Sequence, residues 1–112
     1  MTDCIVVFIT ASSRDEGRRI ARALVENRLC ACVNIVDGVS SLFWWEGEVQ
    51  EEGEVLLVCK STKDQFSPIE TLVRKLHSYT VPELIALPVV EGFEEYLNWI
   101  SKETQTVNRD QK

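Results

Sequence analysis

LFWWEGEV, residues 42–49, sets three consecutive aromatic side chains before a Glu-Gly pair. A strand points successive side chains to opposite faces, so Phe43, Trp44 and Trp45 cannot all enter one core. Either the stretch is not a strand, or something covers both of its faces. Glu46-Gly47 offers a tight turn, and EVQEEGEVLLVCK then returns as a partner strand. Upstream, from Ala31, the apolar period is two: Ala31, Val33 and Ile35 alternate with Cys30, Cys32 and Asn34. Asp37-Gly38 reads as a bend or bulge rather than an ending, because VSSLFWW resumes strand chemistry. Gly53 is a candidate for a second irregularity. These readings make one long hairpin, with the unbroken apolar run Val55–Cys59 as a central strand.

Outside the hairpin, CIVVFITA is a β-branched run of strand length, expected to be buried on both faces. Ser13 and Glu16 have capping-box spacing, so a helix begins near Arg14. Its buried stripe is Ile20, Ala21, Leu24 and Val25. STKDQFSPIETLVRKLH is a second helix with two candidate starts. Thr62 with Gln65 is one, and Ser67 with Pro68 and Glu70 is the cleaner. Ile69, Leu72, Val73 and Leu76 form its stripe. Val81 precedes a proline and is extended. ELIALPVV supplies a last strand in which Pro88 marks an edge or an end. A short amphipathic helix covers 93–101, and the polar segment 102–112 reads as a tail.

The order is βαββαβ with a terminal helix, in a single domain over residues 1–101. It predicts an α+β, ferredoxin-like split βαβ sandwich with both crossover helices on one face of an antiparallel sheet. The second face and the long hairpin outgrow that cover. An exposed apolar face of this size predicts self-association.

The chain's 112 residues, 45% apolar and 27% charged, suit one soluble domain with a real core. No run approaches a membrane span, and the N-terminus lacks the marks of a signal peptide, so the expectation is cytoplasmic. Four cysteines without a secreted context fit that compartment. A net charge of −6 argues against nucleic acid as a partner.

Several groups could carry chemistry. Cys30 and Cys32, on one strand face about 6.6 Å apart, could share a soft copper or zinc ion with His77, or be small buried residues. His77, the only histidine, sits where a helix ends and can cap its carbonyls. Glu46, Glu48, Glu51, Glu52 and Glu54 read as a solvated run that protects an edge. Arg14, Arg18 and Arg22 share a helix face and could hold phosphate, or simply be solvated.

SSLFWWEGEVQEEGEVLLVCKST, then LHSYTVPELIALPV, then YLNWI closely resemble the CutA family of divalent-ion tolerance proteins. Trp45-x-Gly47, Lys60, His77-x-Tyr79 and Pro82-Glu83 stand in the family's order and spacing. The resemblance implies a homotrimer, PII-like in architecture, in which neighbouring subunits cover the second face of the LFWW strand. It implies a non-catalytic role in the response to copper or another divalent metal ion. It also places Trp45, Lys60, Tyr79 and Glu83 at a cleft between subunits, where a Lys–Glu pair beside aromatics could bind a small ligand or simply join the interface. The metal site of some bacterial members uses a cysteine at the end of the first strand and two adjacent histidines. Here Ile9 and Leu76 replace two of those ligands, leaving His77.

Two other function classes compete. A PII-type small-molecule sensor calls for a Gly-rich phosphate loop, and the five glycines are not clustered. An acylphosphatase-like enzyme needs a phosphate-cradling loop after the first strand, where Thr10-Ala11-Ser12-Ser13 has no glycine. No nucleophile–base spacing points to an enzyme.

Overall fold

Eight residues of alternating burial, Cys4–Ala11, form β1, and the chain then runs α1 (Arg14–Glu26), β2 (Cys32–Trp45), β3 (Glu48–Thr62), α2 (Phe66–Leu76), β4 (Leu84–Pro88) and α3 (Glu94–Glu103). This is a computed structural model, and it describes residues 2–104. The four strands make one antiparallel sheet in the order β2-β3-β1-β4. The α+β split βαβ sandwich read from the sequence is the observed fold.

One sheet face is dry. Ile5, Val7 and Ile9 of β1 meet Val55, Leu57 and Cys59 of β3 beneath Ile20 and Leu24 of α1 and Ile69 and Val73 of α2. Burying each large aliphatic side chain contributes about 1.5–3 kcal/mol, so this layer supplies most of the fold's stability. Val25, read as part of the α1 stripe, is instead 40% exposed. It sits at the edge of the helix, beyond the reach of the sheet's core.

β2 and β3 continue past the helices as the long hairpin. From Val36 to Val39 β2 takes three steps where β3 takes two, from Leu56 to Glu54, which is the bulge expected at Asp37-Gly38. Gly38 has φ +76°, which glycine adopts without strain. Gly53 causes no irregularity: it pairs regularly with Ser40. The turn has positive φ at both Glu46 (51°) and Gly47 (82°), the primed type that matches strand twist. Beyond the bulge Trp44 is 74% exposed and Leu42 66%, so one protomer leaves the puzzle of the LFWW strand open.

The helix starts refine the sequence reading. Ser13 caps α1, its Oγ accepting from the Glu16 amide at 3.1 Å, but the Glu16 carboxylate reaches past Ser13 to Ser12. α2 follows a 3-10 turn at Lys63–Gln65, so Pro68 is the third helical residue and Ser67 is not the cap. α3 ends at Glu103 rather than 101. Its end is tied down: Arg28 donates to the Glu103 carboxylate at 2.9 Å, and Gln65 Nε2 donates to the Thr104 carbonyl at 2.7 Å. Of the segment read as a tail, 105–112 lie outside the described residues.

Candidate functional site

A buried polar cluster closes the end of the sandwich where β1 ends, α1 begins and α2 ends. Glu16, in the first turn of α1, is almost wholly buried. Its Oε1 accepts from the Ser12 amide at 2.9 Å and the Ser12 hydroxyl at 2.8 Å, and its Oε2 accepts from the Ser78 amide at 2.6 Å. Burial alone would raise the pKa of this carboxyl. The hydrogen bonds from Ser12 and Ser78 favour the charged form more strongly and bring it to about 2. The carboxylate therefore ties the β1–α1 loop to the α2–β4 loop, 62 residues away.

His77 is the C-cap of α2, its amide donating to the Val73 carbonyl at 2.8 Å. Its ring is completely enclosed. Nε2 lies 2.6 Å from the Thr10 carbonyl and must donate there, while Nδ1 accepts from the Tyr79 amide at 3.1 Å. These bonds assign the Nε2–H tautomer and engage both nitrogens within the chain. Glu16 Oε2 stands 3.7 Å from Nδ1. The Tyr79 ring leans on His77 at 4.7 Å, and its hydroxyl donates to Glu54 at 2.8 Å. Burial and the Glu54 carboxylate both raise the Tyr79 pKa, which keeps the phenol neutral.

The residues implied as a cleft are not gathered by one chain. Tyr79 meets β3 at Glu54. Trp45 pairs with Glu48 at the hairpin tip, and Lys60 pairs with Val6 and Cys32 at the opposite end of β3. Six residues of strand, about 20 Å, separate Glu54 from each end. Lys60 Nζ donates to Asn34 Oδ1, and Glu83 is exposed just before β4.

Cys30 and Cys32 diverge. Leu29 and Cys30 still bond the Leu24 carbonyl as α1 unwinds, so Cys30 drops into the helix-backed core beside Cys59. The Cys59 thiol, which hydrogen-bonds it, and then burial push the Cys30 thiol far up. Cys32 begins β2, half-exposed on the other face within reach of Tyr96. Among the described residues, no three His, Cys, Asp or Glu side chains converge as a metal set. The glutamates of the hairpin are exposed except Glu54. Arg14 pairs with Asp37, and Arg22 with Glu26 at 2.9 Å.

Sequence reasoning missed Glu16, Ser12, Ser78 and Glu54 as one network with His77 and Tyr79. Glu16 carries a local capping signal that accounts for its presence, and nothing in the chain marks its distant partner.

The fold and this site define a class: a ferredoxin-like α+β protein whose buried polar cluster locks two loops and whose second sheet face and hairpin leave apolar side chains exposed. A family model described as "CutA1 divalent ion tolerance protein" matches residues 5–103. The chain is 52% identical over 99 residues to the divalent-cation tolerance protein CutA of Thermus thermophilus, spanning 88% of this chain and 96% of that one. It is 42% identical over 101 residues to the chloroplastic protein CutA of Arabidopsis thaliana, spanning 90% of this chain but 56% of that longer one. The solved structure of the divalent cation tolerance protein from Thermus thermophilus superposes with a TM-score of 0.90 at 50% identity, covering 91% of this chain and 99% of that one. The solved structure described as the periplasmic divalent cation tolerance protein CutA of Archaeoglobus fulgidus gives 0.88 at 37%, with the same coverage. The chain belongs to the CutA1 divalent ion tolerance family. Among the described residues, no helix is long and apolar enough to cross a membrane.

Proposed function

We propose that this protein is a non-catalytic homotrimer, PII-like in architecture, that takes part in the cytoplasmic response to divalent cations such as copper. The cation, or a small ligand, binds in the cleft between subunits. One observation carries the reading. The sheet face opposite α1 and α2 presents Val36, Ile85, Leu87 and Trp45 about half exposed, continuous with the wet hairpin tip. An apolar surface of that extent is unfavourable in water and calls for a partner of matching shape, which a second and third copy of the same surface supply. Trp45 and Lys60 stand at opposite ends of β3, too far apart to act together within one protomer, and copies packed edge to edge would bring the Trp45 of one towards the Lys60, Tyr79 and Glu83 of another. His77 enters a metal site only if it gives up its bonds to Thr10 and Tyr79. The four free thiols suit a reducing compartment.

Light scattering on the purified chain tests the assembly, and three times the chain mass is the expected result. A monomer at micromolar concentration overturns it. Calorimetry with copper on the assembled protein tests the site: His77→Gln should leave the binding heat unchanged and Lys60→Ala should alter it. Loss of the heat in His77→Gln alone would move the site to His77.

A further inference from the structure

We propose that the groove between α1 and the inner part of β2 binds a compact organic anion, an apolar body ending in a phosphate or carboxylate group. Arg18, Ala21, Arg22 and Val25 recur at i, i+3, i+4 and i+7, so they share one stripe of α1. Val33 and Ile35 of β2 alternate onto the same side of the sheet as that helix. Because β2 is the outermost strand, the stripe overhangs the sheet rather than sealing against it. The result is a groove of about 570 Å³ with a floor of Ala21, Val25, Val33 and Ile35 and a rim of Arg18, Arg19 and Arg22. The groove is open to solvent along its length, and it combines an apolar lining with a few placed polar groups as small-molecule sites do.

Charge selects the occupant. The chain carries −6, yet this groove sets three guanidinium groups against one carboxylate, Glu26. Glu26 is engaged by Arg22 at 2.9 Å, whereas Arg18 and Arg19 make no ion pair among the described residues. One end of the groove is therefore a positive pole, and a planar guanidinium fork matches the oxygens of a phosphate or carboxylate. A purely solvated arginine face has no need of an apolar floor. Here Val25 and Ile35 lie beneath the arginines, and an apolar body seated on them would leave the water that now wets Val25. All these residues belong to one chain.

Calorimetry of the full chain with octyl phosphate, kept below its micellar concentration, tests the proposal. The expected result is one molecule per chain, at least about tenfold tighter than inorganic phosphate or octanol, since either probe supplies only half of the recognition. Displacement by octanoate would show that a carboxylate head also serves, and its failure would restrict the site to phosphates. Arg18→Gln and Val25→Ser should each weaken octyl phosphate about tenfold. Both positions are exposed, so thermal midpoints should stay within a few degrees, and Arg19→Gln replaces whichever variant does not fold. Unchanged affinity in the variants overturns the proposal. So does inorganic phosphate binding as tightly as octyl phosphate. A fall in particle mass during the titration would assign the groove to a second copy of the chain and equally overturn it.

Discussion

The inner and outer halves of the β2–β3 hairpin belong to the same two strands and both carry large apolar side chains, yet they meet opposite surroundings. In the inner half Leu57 and Cys59 lie fully buried under α1 and α2, with Val33 and Ile35 packed beside them. In the outer half Leu42, Trp44 and Val49 stand in water. The outer part of β3 is also rich in glutamate, but the exposure of Leu42 and Trp44 follows from the lack of a covering layer within the chain. The inner half is covered within one chain, while the outer half leaves its apolar side chains exposed, the surface that the proposed assembly would bury.

The largest effect expected from breaking this contrast is on assembly. Trp44→Ser combined with Trp45→Ser should reduce the particle mass from three chains to one in sedimentation velocity, while the far-ultraviolet spectrum of the protomer survives. A trimer that persists would mean that the outer half is not the interface. In the inner half, Leu57→Ala should lower unfolding free energy by about 3 kcal/mol in urea, because it opens a cavity in a layer that cannot collapse around it. A loss below about 1 kcal/mol would show that the core is less closely packed than the contrast requires.

Glu16 sharpens the comparison through pH. Its carboxyl titrates at about 2 in the folded chain against an ordinary value of 4.5, so its contribution is full above about pH 4.5 and is lost as pH falls towards 2. The lowering corresponds to about 3 kcal/mol as an upper bound. Glu16→Gln should flatten the acid limb of the stability curve between those two values, and an unchanged limb would remove Glu16 from the account. The smallest effect belongs to the turn. Gly47→Ala places a Cβ at φ 82° in open space, so backbone strain alone should cost about 1 kcal/mol. A neutral result in thermal melts would show that the turn relaxes into another type.

Much of this contrast is legible in the sequence. Period-two alternation, Asp37-Gly38 and Glu46-Gly47 locate the hairpin, its bulge and its turn, because each is a local consequence of backbone geometry. The polar cluster is not legible. The carboxylate of Glu16 depends on a backbone amide at Ser78, and His77 on the carbonyl of Thr10, and such pairings follow only from the packed topology. Cys30 and Cys32 mislead for a similar reason: the alternation that would align them begins only at Cys32, after α1 has unwound. Val25 fits the helical period, yet lies over the sheet's margin. Period identifies a face without showing how far the neighbouring layer extends.

The extra residue at Asp37-Gly38 acts as a phase shift in the chain. Val36 and Val39 are three positions apart and still face the same side, so Phe43 and Trp45 continue the side begun by Asn34 and Val36, while Trp44 takes the other. Deleting one residue there would set Val36 and Val39 two positions apart, the regular strand spacing, so both would stay opposite Leu56 and Glu54 and every outer side chain would keep its side. Leu42 and Trp44 would still share one side, and Phe43 and Trp45 the other. What the bulge sets is local twist and bend, so its loss would change the direction in which the outer ribbon leaves the sandwich and not the faces on which its aromatics lie.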